Sequence, residues 1–162
     1  MQVVVAVRLL LFIMLVVSSA GAAKAAEDDS AILGFWATEK NHGHTLVELC
    51  GDAVCAKVVD GDQLRANPEQ TDIYNPDPAK RGRRVKGLYI LQGYRGGPPQ
   101  WQGGTVYDPQ TGDSSNDSTL ELIDANTLKV KGCKLFFCRS EIWTRVPDGK
   151  NAGMSPTRTP HG

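Results

Sequence analysis

The strongest structural signal in this chain is a series of short runs in which apolar and polar residues alternate. In the clearest run, residues 127–131, Leu128 and Val130 fall on one face while threonine and lysine side chains fall on the other. Such alternation is typical of a half-buried β-strand, because successive side chains of a strand point to opposite faces. No long segment beyond the N-terminal one has helical periodicity. The chain is therefore predicted to be all-β.

Eight such runs follow one another, and glycine, proline, asparagine or aspartate separates them. The predicted strands are residues 32–38, 44–50, 55–59, 85–91, 100–108, 118–123, 127–131 and 139–146. The connections are short except for residues 60–84. Eight short strands in sequence favour a single antiparallel up-and-down β-barrel, whose interior is either filled by side chains or holds one small ligand. A two-sheet β-sandwich is the alternative architecture.

The N-terminal segment has the pattern of a secretory signal peptide. A cation at Arg8 precedes the apolar run 9–17 and a series of small residues, and we predict that residues 1–26 are removed. An uncleaved anchor would place Arg8 inside the span, at a high cost. The expected location is periplasmic or secreted, with no transmembrane span after cleavage. The working domain is predicted at 32–146, and the almost wholly polar segment 147–162 is expected to be a disordered C-terminal tail.

Composition argues against several classes of function. Eighteen basic residues balance eighteen acidic ones, so no overall field favours nucleic acid. The usual motifs of hydrolases, metalloproteases and phosphate-binding loops are missing, so we predict no enzyme, no cofactor and no metal. His42 and His44 have a spacing that suits a metal, but no third ligand is evident. An enzyme would need a cleft acid such as Asp72 or Asp108 with a shifted pKa.

The four cysteines form two pairs with equal spacing, Cys50 with Cys55 and Cys133 with Cys138. In an exported chain an even number of cysteines favours disulfides. Each pair brackets a segment short enough to be a hairpin loop, so local pairing is the preferred arrangement. Pairing between the two loops is the main alternative, and a four-cysteine zinc site is a less favoured one.

Aromatic residues supply candidates for the barrel interior. We predict that Trp36, Tyr89, Trp101 and Tyr107 form the walls of a ligand pocket, because glycines beside two of these rings leave space for a ligand. Trp143 shares one strand face with Arg139, Glu141 and Arg145, and either face is a candidate for the buried one. A cation packed over an indole would reconcile that charged face with burial. Barrel closure is assigned to Gly34, Trp36, Trp143 and Arg145, with Arg145 over Trp36.

The segment 75–87 carries five cations and a single carboxylate, Asp77. Its two prolines push the preceding residues out of the helical region and so present the cations. Exposed cations beside a strand protect the sheet edge from aggregation. The alternative role is contact with an anionic group at the mouth of the barrel.

Residues 33–146 contain, in this order, the sequences GFW, NPDPAKRGRRVKGLYIL, WQGGTVYDPQTG, LKVKGC and CRSEIWTRV. With these motifs the chain resembles a family of bacterial exported proteins of unknown biochemical role, DUF2147. The resemblance implies a lipocalin-like barrel, in which Gly34 and Trp36 with the late Arg145 are similar to the lipocalin fingerprint. The paired cysteine loops also look like those of many members, which supports local disulfides. The segment 112–117 lacks an aromatic residue that the family commonly has there.

The resemblance also bears on the basic segment, because NPD and a following arginine recur in the family signature. It implies that Asn75, Asp77 and Arg81 fix the loop by mutual hydrogen bonds, with contact to an anion as their other role. Arg81→Ala is therefore expected to lower the melting temperature, and Arg83→Ala is expected to leave it unchanged.

The leading functional hypothesis is an exported, non-enzymatic barrel that binds a small, largely apolar or amphipathic ligand in the cell envelope. The alternative is an interaction module whose loops dock a protein partner or a membrane surface. Its best support is the loop Leu135, Phe136 and Phe137, which would form an apolar patch. An uncharacterised hydrolase is the second alternative.

Overall fold

A computed structural model describes residues 29–147. The predicted signal peptide, 1–26, and all but the first residue of the predicted tail lie outside the described residues. The strands are β1 (Gly34–Thr38), β2 (His44–Cys50), β3 (Ala53–Asp60), β4 (Tyr89–Gly97), β5 (Gln100–Gln102), β6 (Thr105–Asp108), β7 (Asp113–Ser115), β8 (Asp117–Asp124), β9 (Thr127–Lys134) and β10 (Phe137–Arg145). The helices are the α-helix α1 (Asp62–Ala66) and two 3-10 turns, η1 (Lys40–His42) and η2 (Pro78–Lys80). Between residues 29 and 147, no helix is long and apolar enough to cross a membrane.

The strands form one antiparallel sheet that closes on itself. Around the ring the order is β3, β2, β1, β10, β9, β8, β5 and β4, and a β4–β3 pairing completes the circle. β6 continues the line of β5 along β4, and β7 pairs with β6 just before β8 begins. The result is a closed eight-stranded up-and-down barrel, which confirms the predicted fold and excludes the two-sheet sandwich.

The hairpin of β8 and β9 shows how the alternating pattern becomes a barrel wall. Leu120 lies opposite Val130, and Leu122 opposite Leu128. Leu120 and Leu128 are fully buried, so the apolar face of the pattern points inward as predicted. Paired apolar residues on one face are what stabilises such a hairpin.

Several strand boundaries differ from the sequence prediction, and the single strand expected at residues 100–108 is divided into β5 and β6. The strand expected at residues 85–91 begins only at Tyr89 and runs to Gly97. The cause is Gly87, whose φ of 83° lies in the left-handed region and interrupts an extended chain. The short strand β7 was not predicted, because its residues Asp113–Ser115 are all polar.

One end of the barrel is closed by packed aromatic residues and an arginine. The guanidinium of Arg145 lies 4.3 Å from the centre of the Trp36 ring, in register with Trp36 across the β1–β10 seam. It also donates hydrogen bonds to the backbone oxygens of Leu33 and Ala31. A Cβ on Gly34 would lie 3.3 Å from Arg145 Nη1, so glycine leaves the space that the guanidinium occupies. Trp143, opposite Thr38, continues the same seam toward the other end.

Candidate functional site

The other end of the barrel opens into a cavity of about 590 Å³. Its walls come from the last residues of β1, β3 and β9, the first residues of β2 and β10, and the β6–β7 hairpin, while α1 lies across one side. Apolar side chains form much of the inner surface, namely Val58, Leu64, Val85, Ile90, Val106 and Val130. A concave, mainly apolar space of this size is typical of a small-molecule site.

β10 forms one wall of this cavity, and its lining side chains become more exposed from Trp143 toward the mouth. Trp143, Glu141 and Arg139 all line it, whereas Ile142 is exposed on the outer surface. The charged face of β10 therefore points inward, with the indole deepest and the guanidinium nearest the mouth. Trp143 is only 2% exposed, yet its Nε1–H has no hydrogen-bond partner among residues 29–147. A buried donor without a partner carries a cost in free energy, and a ligand in the cavity reaches this N–H only when the indole or its neighbours shift slightly.

A second polar group lies at the rim on β2. His44, the first residue of β2, also lines the cavity, next to a break in register at which Val59 of β3 is left unpaired between Val58 and Asp60. The nearest carboxylate oxygen, Asp60 Oδ2, is 3.8 Å from His44 Nδ1, which is too far for a hydrogen bond. Arg65 on α1 donates to the same oxygen. The His44 ring nitrogen is consequently buried with no hydrogen-bond partner in the described part of the chain.

His42 does not join His44 in a metal site. Its Nδ1 lies 2.7 Å from Asp62 Oδ2 at the surface, where both side chains are exposed. Within residues 29–147 no three histidine, cysteine or acidic side chains are grouped closely enough to hold a metal ion.

Next to the cavity, a buried carboxylate ties the long loop to the barrel. Asp72 is fully buried and accepts hydrogen bonds from Tyr107 Oη at 2.5 Å, Asn75 Nδ2 at 2.8 Å and Arg83 Nη2 at 2.7 Å. Burial and, after it, the hydrogen bond to Asp72 raise the pKa of Tyr107 to about 12. The Tyr107 hydroxyl is therefore protonated at neutral pH and remains a donor. Because Tyr107 belongs to β6, this network fixes the loop at the cavity wall.

The rest of the loop is held by local hydrogen bonds. The backbone N–H of Asp77 donates to Asn75 Oδ1 at 3.0 Å, and Arg81 Nε donates to the Asn75 backbone oxygen at 2.8 Å. Gly112, in the β6–β7 turn, makes a close approach: a Cβ there would lie 2.0 Å from the Tyr74 backbone oxygen. The two loops thus pack against each other through backbone.

Comparison with known proteins bears on this architecture. The model of a family described as an uncharacterized protein conserved in bacteria, DUF2147, matches residues 34–145. The chain belongs to the DUF2147 family. A solved structure from the human pathogen Helicobacter pylori, described as belonging to the lipocalin family, has a TM-score of 0.65 and 18% identity, over 74% of this chain and 87% of that chain. No match was found among curated proteins. The predicted family is confirmed, and the fold is lipocalin-like.

Within this DUF2147 barrel the four aromatic residues predicted to bind ligand lie in three different places. Tyr107 lines the cavity. Trp36 and Trp101 are fully buried in the packed core and are not part of the cavity lining. Tyr89 lies outside the cavity, where its hydroxyl donates to Glu48 Oε1 at 2.6 Å. Trp143 and His44 also line the cavity, and neither was predicted to do so from the sequence. The charged face that Trp143 shares with Glu141 and Arg139 was the available signal for the first.

The basic segment is mostly occupied by ion pairs. Lys80 pairs with Asp77 at 3.2 Å, and Arg84 pairs with Glu69 at the surface. Arg83, which the sequence analysis expected to be dispensable, pairs instead with the buried Asp72. Arg83→Ala is therefore expected to lower stability, contrary to the prediction from the sequence.

Both cysteine pairs of this DUF2147 protein are local, Cys50 with Cys55 and Cys133 with Cys138. Each closes a hairpin, β2–β3 and β9–β10 respectively. β2 begins at the cavity and runs away from it, whereas β9 ends at the cavity. The two hairpin turns therefore lie at opposite ends of the barrel. Pairing between the loops is excluded by that distance.

Proposed function

We propose that this protein is a non-enzymatic binding protein of the cell envelope that holds one small, largely apolar ligand in the open half of the barrel. The observation that carries the proposal is the cavity of about 590 Å³ with its apolar inner wall. Small-molecule sites usually span about 300 to 1,000 Å³ and orient their ligands with a few polar groups. The lipocalin-like closure at the opposite end gives the cavity a solid floor.

The unpartnered indole N–H of Trp143 indicates the chemistry of the ligand. Because this N–H can only donate, it fits a ligand oxygen such as a carbonyl, ether or hydroxyl. His44 and Trp143 belong to the two strands that flank β1. Ala37 of β1 pairs with His44 on β2, and Thr38 pairs with Trp143 on β10. A ligand that spans roughly 10 Å, two strand spacings, reaches both groups. An apolar body with one or two oxygen atoms is the matching class.

Two further observations support the non-enzymatic part of the proposal. Asp72, a candidate acid, is already bound by three donors. Asp108, the other candidate, accepts a hydrogen bond from the Gln110 backbone N–H within a turn. Both carboxylates therefore have structural roles. The predicted signal peptide supports the envelope location, as do the two disulfides, which persist in oxidising compartments.

Native mass spectrometry of the protein purified from its own host tests the proposal directly. We expect an added mass of a few hundred daltons, about the size that such a cavity accommodates, which disappears on denaturation. A bare protein mass, together with no thermal shift across a panel of lipids and metabolites, would contradict the proposal.

Replacing Trp143 with phenylalanine should weaken binding of an oxygen-bearing ligand more than binding of its apolar isostere. We compare 2-naphthol with 2-methylnaphthalene, two ligands of matched shape, by equilibrium dialysis. Because one hydrogen bond is worth about 1 kcal/mol, the ratio of the two affinities should shift by about fivefold against 2-naphthol. Trp36→Phe is the control, since the Trp36 N–H already donates to the Ile32 backbone oxygen. An unchanged ratio in Trp143→Phe would remove the indole from the ligand site.

A further inference from the structure

The hairpin between β9 and β10 ends in an apolar tip, which we define as Leu135, Phe136 and Phe137. These side chains are 89%, 96% and 81% exposed. Scattered exposed apolar residues are common on protein surfaces, but three adjacent large ones at the end of a projecting turn form a contiguous patch. The disulfide between Cys133 and Cys138 sits directly beneath the tip and fixes its position.

The hairpin itself does not require apolar residues at this turn. Leu135 has a φ of 57°, in the left-handed region that costs free energy for any residue but glycine. The β2–β3 hairpin offers an internal comparison, because a cysteine pair of the same spacing closes it. Its turn is Gly51-Asp52, with Gly51 at a φ of 70°. The chain therefore carries, at one of two similar turns, a sequence that is less favourable for folding.

The hairpin that carries the apolar tip is basic in its own sequence, and the carboxylates nearest to it belong to neighbouring strands: Asp117 lies opposite Cys133, and Asp113 is near Lys134. Residues 131–139 contain Lys131, Lys134 and Arg139 and no acidic residue. Lys134 reaches Asp113 at 3.0 Å, whereas Lys131 and Arg139 form no salt bridge with the described residues. Cations next to an apolar tip are the arrangement that anionic lipid headgroups attract, at about 1 kcal/mol per lysine or arginine near the surface.

We propose that the apolar tip inserts into an anionic phospholipid bilayer and docks the barrel on it. Apolar side chains flanked by cations partition into the headgroup and acyl boundary. A protein partner fits less well, because a stable protein interface buries about 800 Å² on each side, far more than the end of one hairpin provides. Leu135 and Phe137 also line the cavity, so docking turns the mouth of the cavity toward the bilayer. The inference is independent of what the cavity binds.

Vesicle co-sedimentation tests the proposal with a graft from the other hairpin. The double substitution Leu135→Gly and Phe136→Asp copies the Gly51-Asp52 turn, so the hairpin should still form and the melting temperature should not fall. Protein purified from its own host should sediment with vesicles of equal parts phosphatidylcholine and phosphatidylglycerol. The graft should bind those vesicles at least about tenfold more weakly, since two large apolar side chains no longer enter the bilayer.

Three controls separate the possible causes. Ile123→Ser removes an exposed apolar side chain near the β8–β9 turn, at the opposite end of the barrel, and should leave vesicle binding unchanged. Lys131→Gln with Arg139→Gln should weaken binding by about fivefold per cation, the equivalent of about 1 kcal/mol each. Wild-type protein should bind pure phosphatidylcholine vesicles less well.

Several outcomes would overturn the proposal. One is equal sedimentation of the graft and the wild type, and another is no sedimentation of the wild type. A third is a dimer of the wild type in sedimentation velocity that the graft abolishes, without any binding to vesicles. That result would assign the apolar tip to contact between copies of this chain.

Discussion

Asp72→Ala should lower the free energy of unfolding by about 2–4 kcal/mol, because three donors lose their common acceptor at a fully buried position. Removal of one partner from a buried ion pair typically costs about 3–5 kcal/mol. The estimate is smaller here, since the side chain of Arg83 is 42% exposed and can be hydrated. For a domain of this size the melting temperature should fall by about 10 °C, as measured by circular dichroism.

Two arginine variants provide the matched comparison. Arg83→Ala removes one charge-assisted hydrogen bond to Asp72 and should cost about 1–2 kcal/mol, less than Asp72→Ala. Arg84→Ala removes only a surface pair with Glu69, in which both side chains are more than half exposed. Such pairs contribute little, so the change should stay below about 0.5 kcal/mol. Equal, negligible effects of Asp72→Ala and Arg84→Ala would show that the loop does not depend on this network.

The barrel itself could be predicted from the sequence, because strand periodicity is local. The alternation in residues 127–131 identifies both the strand and its buried face, and the turn residues before it mark the hairpin. The closure of the barrel could also be predicted, since Gly34 and Trp36 lie in the first predicted strand and Arg145 lies in the last. The structure places Arg145 over the Trp36 ring, as the sequence analysis proposed.

The position of the cavity could not be predicted in the same way. Whether an inward aromatic residue fills the core or lines a space depends on which barrel end it reaches, and that depends on pairings across the whole chain. Trp101 and Tyr107 are six positions apart in the sequence, on β5 and β6, and both of these strands pair with the same edge of β4. The first is in the packed core and the second lines the cavity. The position of His44 in the cavity wall leaves no local sequence signal either.

The structural role of Asp72 could not be predicted from the sequence for a related reason. Its partners Arg83 and Tyr107 are 11 and 35 residues away in the sequence, so no short motif contains the network. The family signature pointed to the neighbouring Asn75, which does contact Asp72. A recurring loop sequence thus located the region but not the buried charge at its centre.

Filling the cavity with a larger side chain should abolish ligand binding altogether. Val58 lines the cavity from β3, so the indole of a Val58→Trp variant would occupy the space proposed for the ligand. The free energy of unfolding should change little, because the added ring enters open volume and displaces no packed neighbour. Native mass spectrometry of the variant from the same host should show only the bare protein mass, and 2-naphthol should no longer bind in equilibrium dialysis.

Val59→Trp is the matched control for this experiment. Val59 follows Val58 on β3. Val58 lines the cavity, whereas Val59 does not. The same increase in side-chain size should therefore leave the added mass and the affinity for 2-naphthol unchanged. If Val58→Trp kept its ligand while folding normally, the ligand would have to bind elsewhere on the protein. If both variants lost it, the loss would reflect a general disturbance of β3, and the argument for the cavity would rest on Trp143 alone.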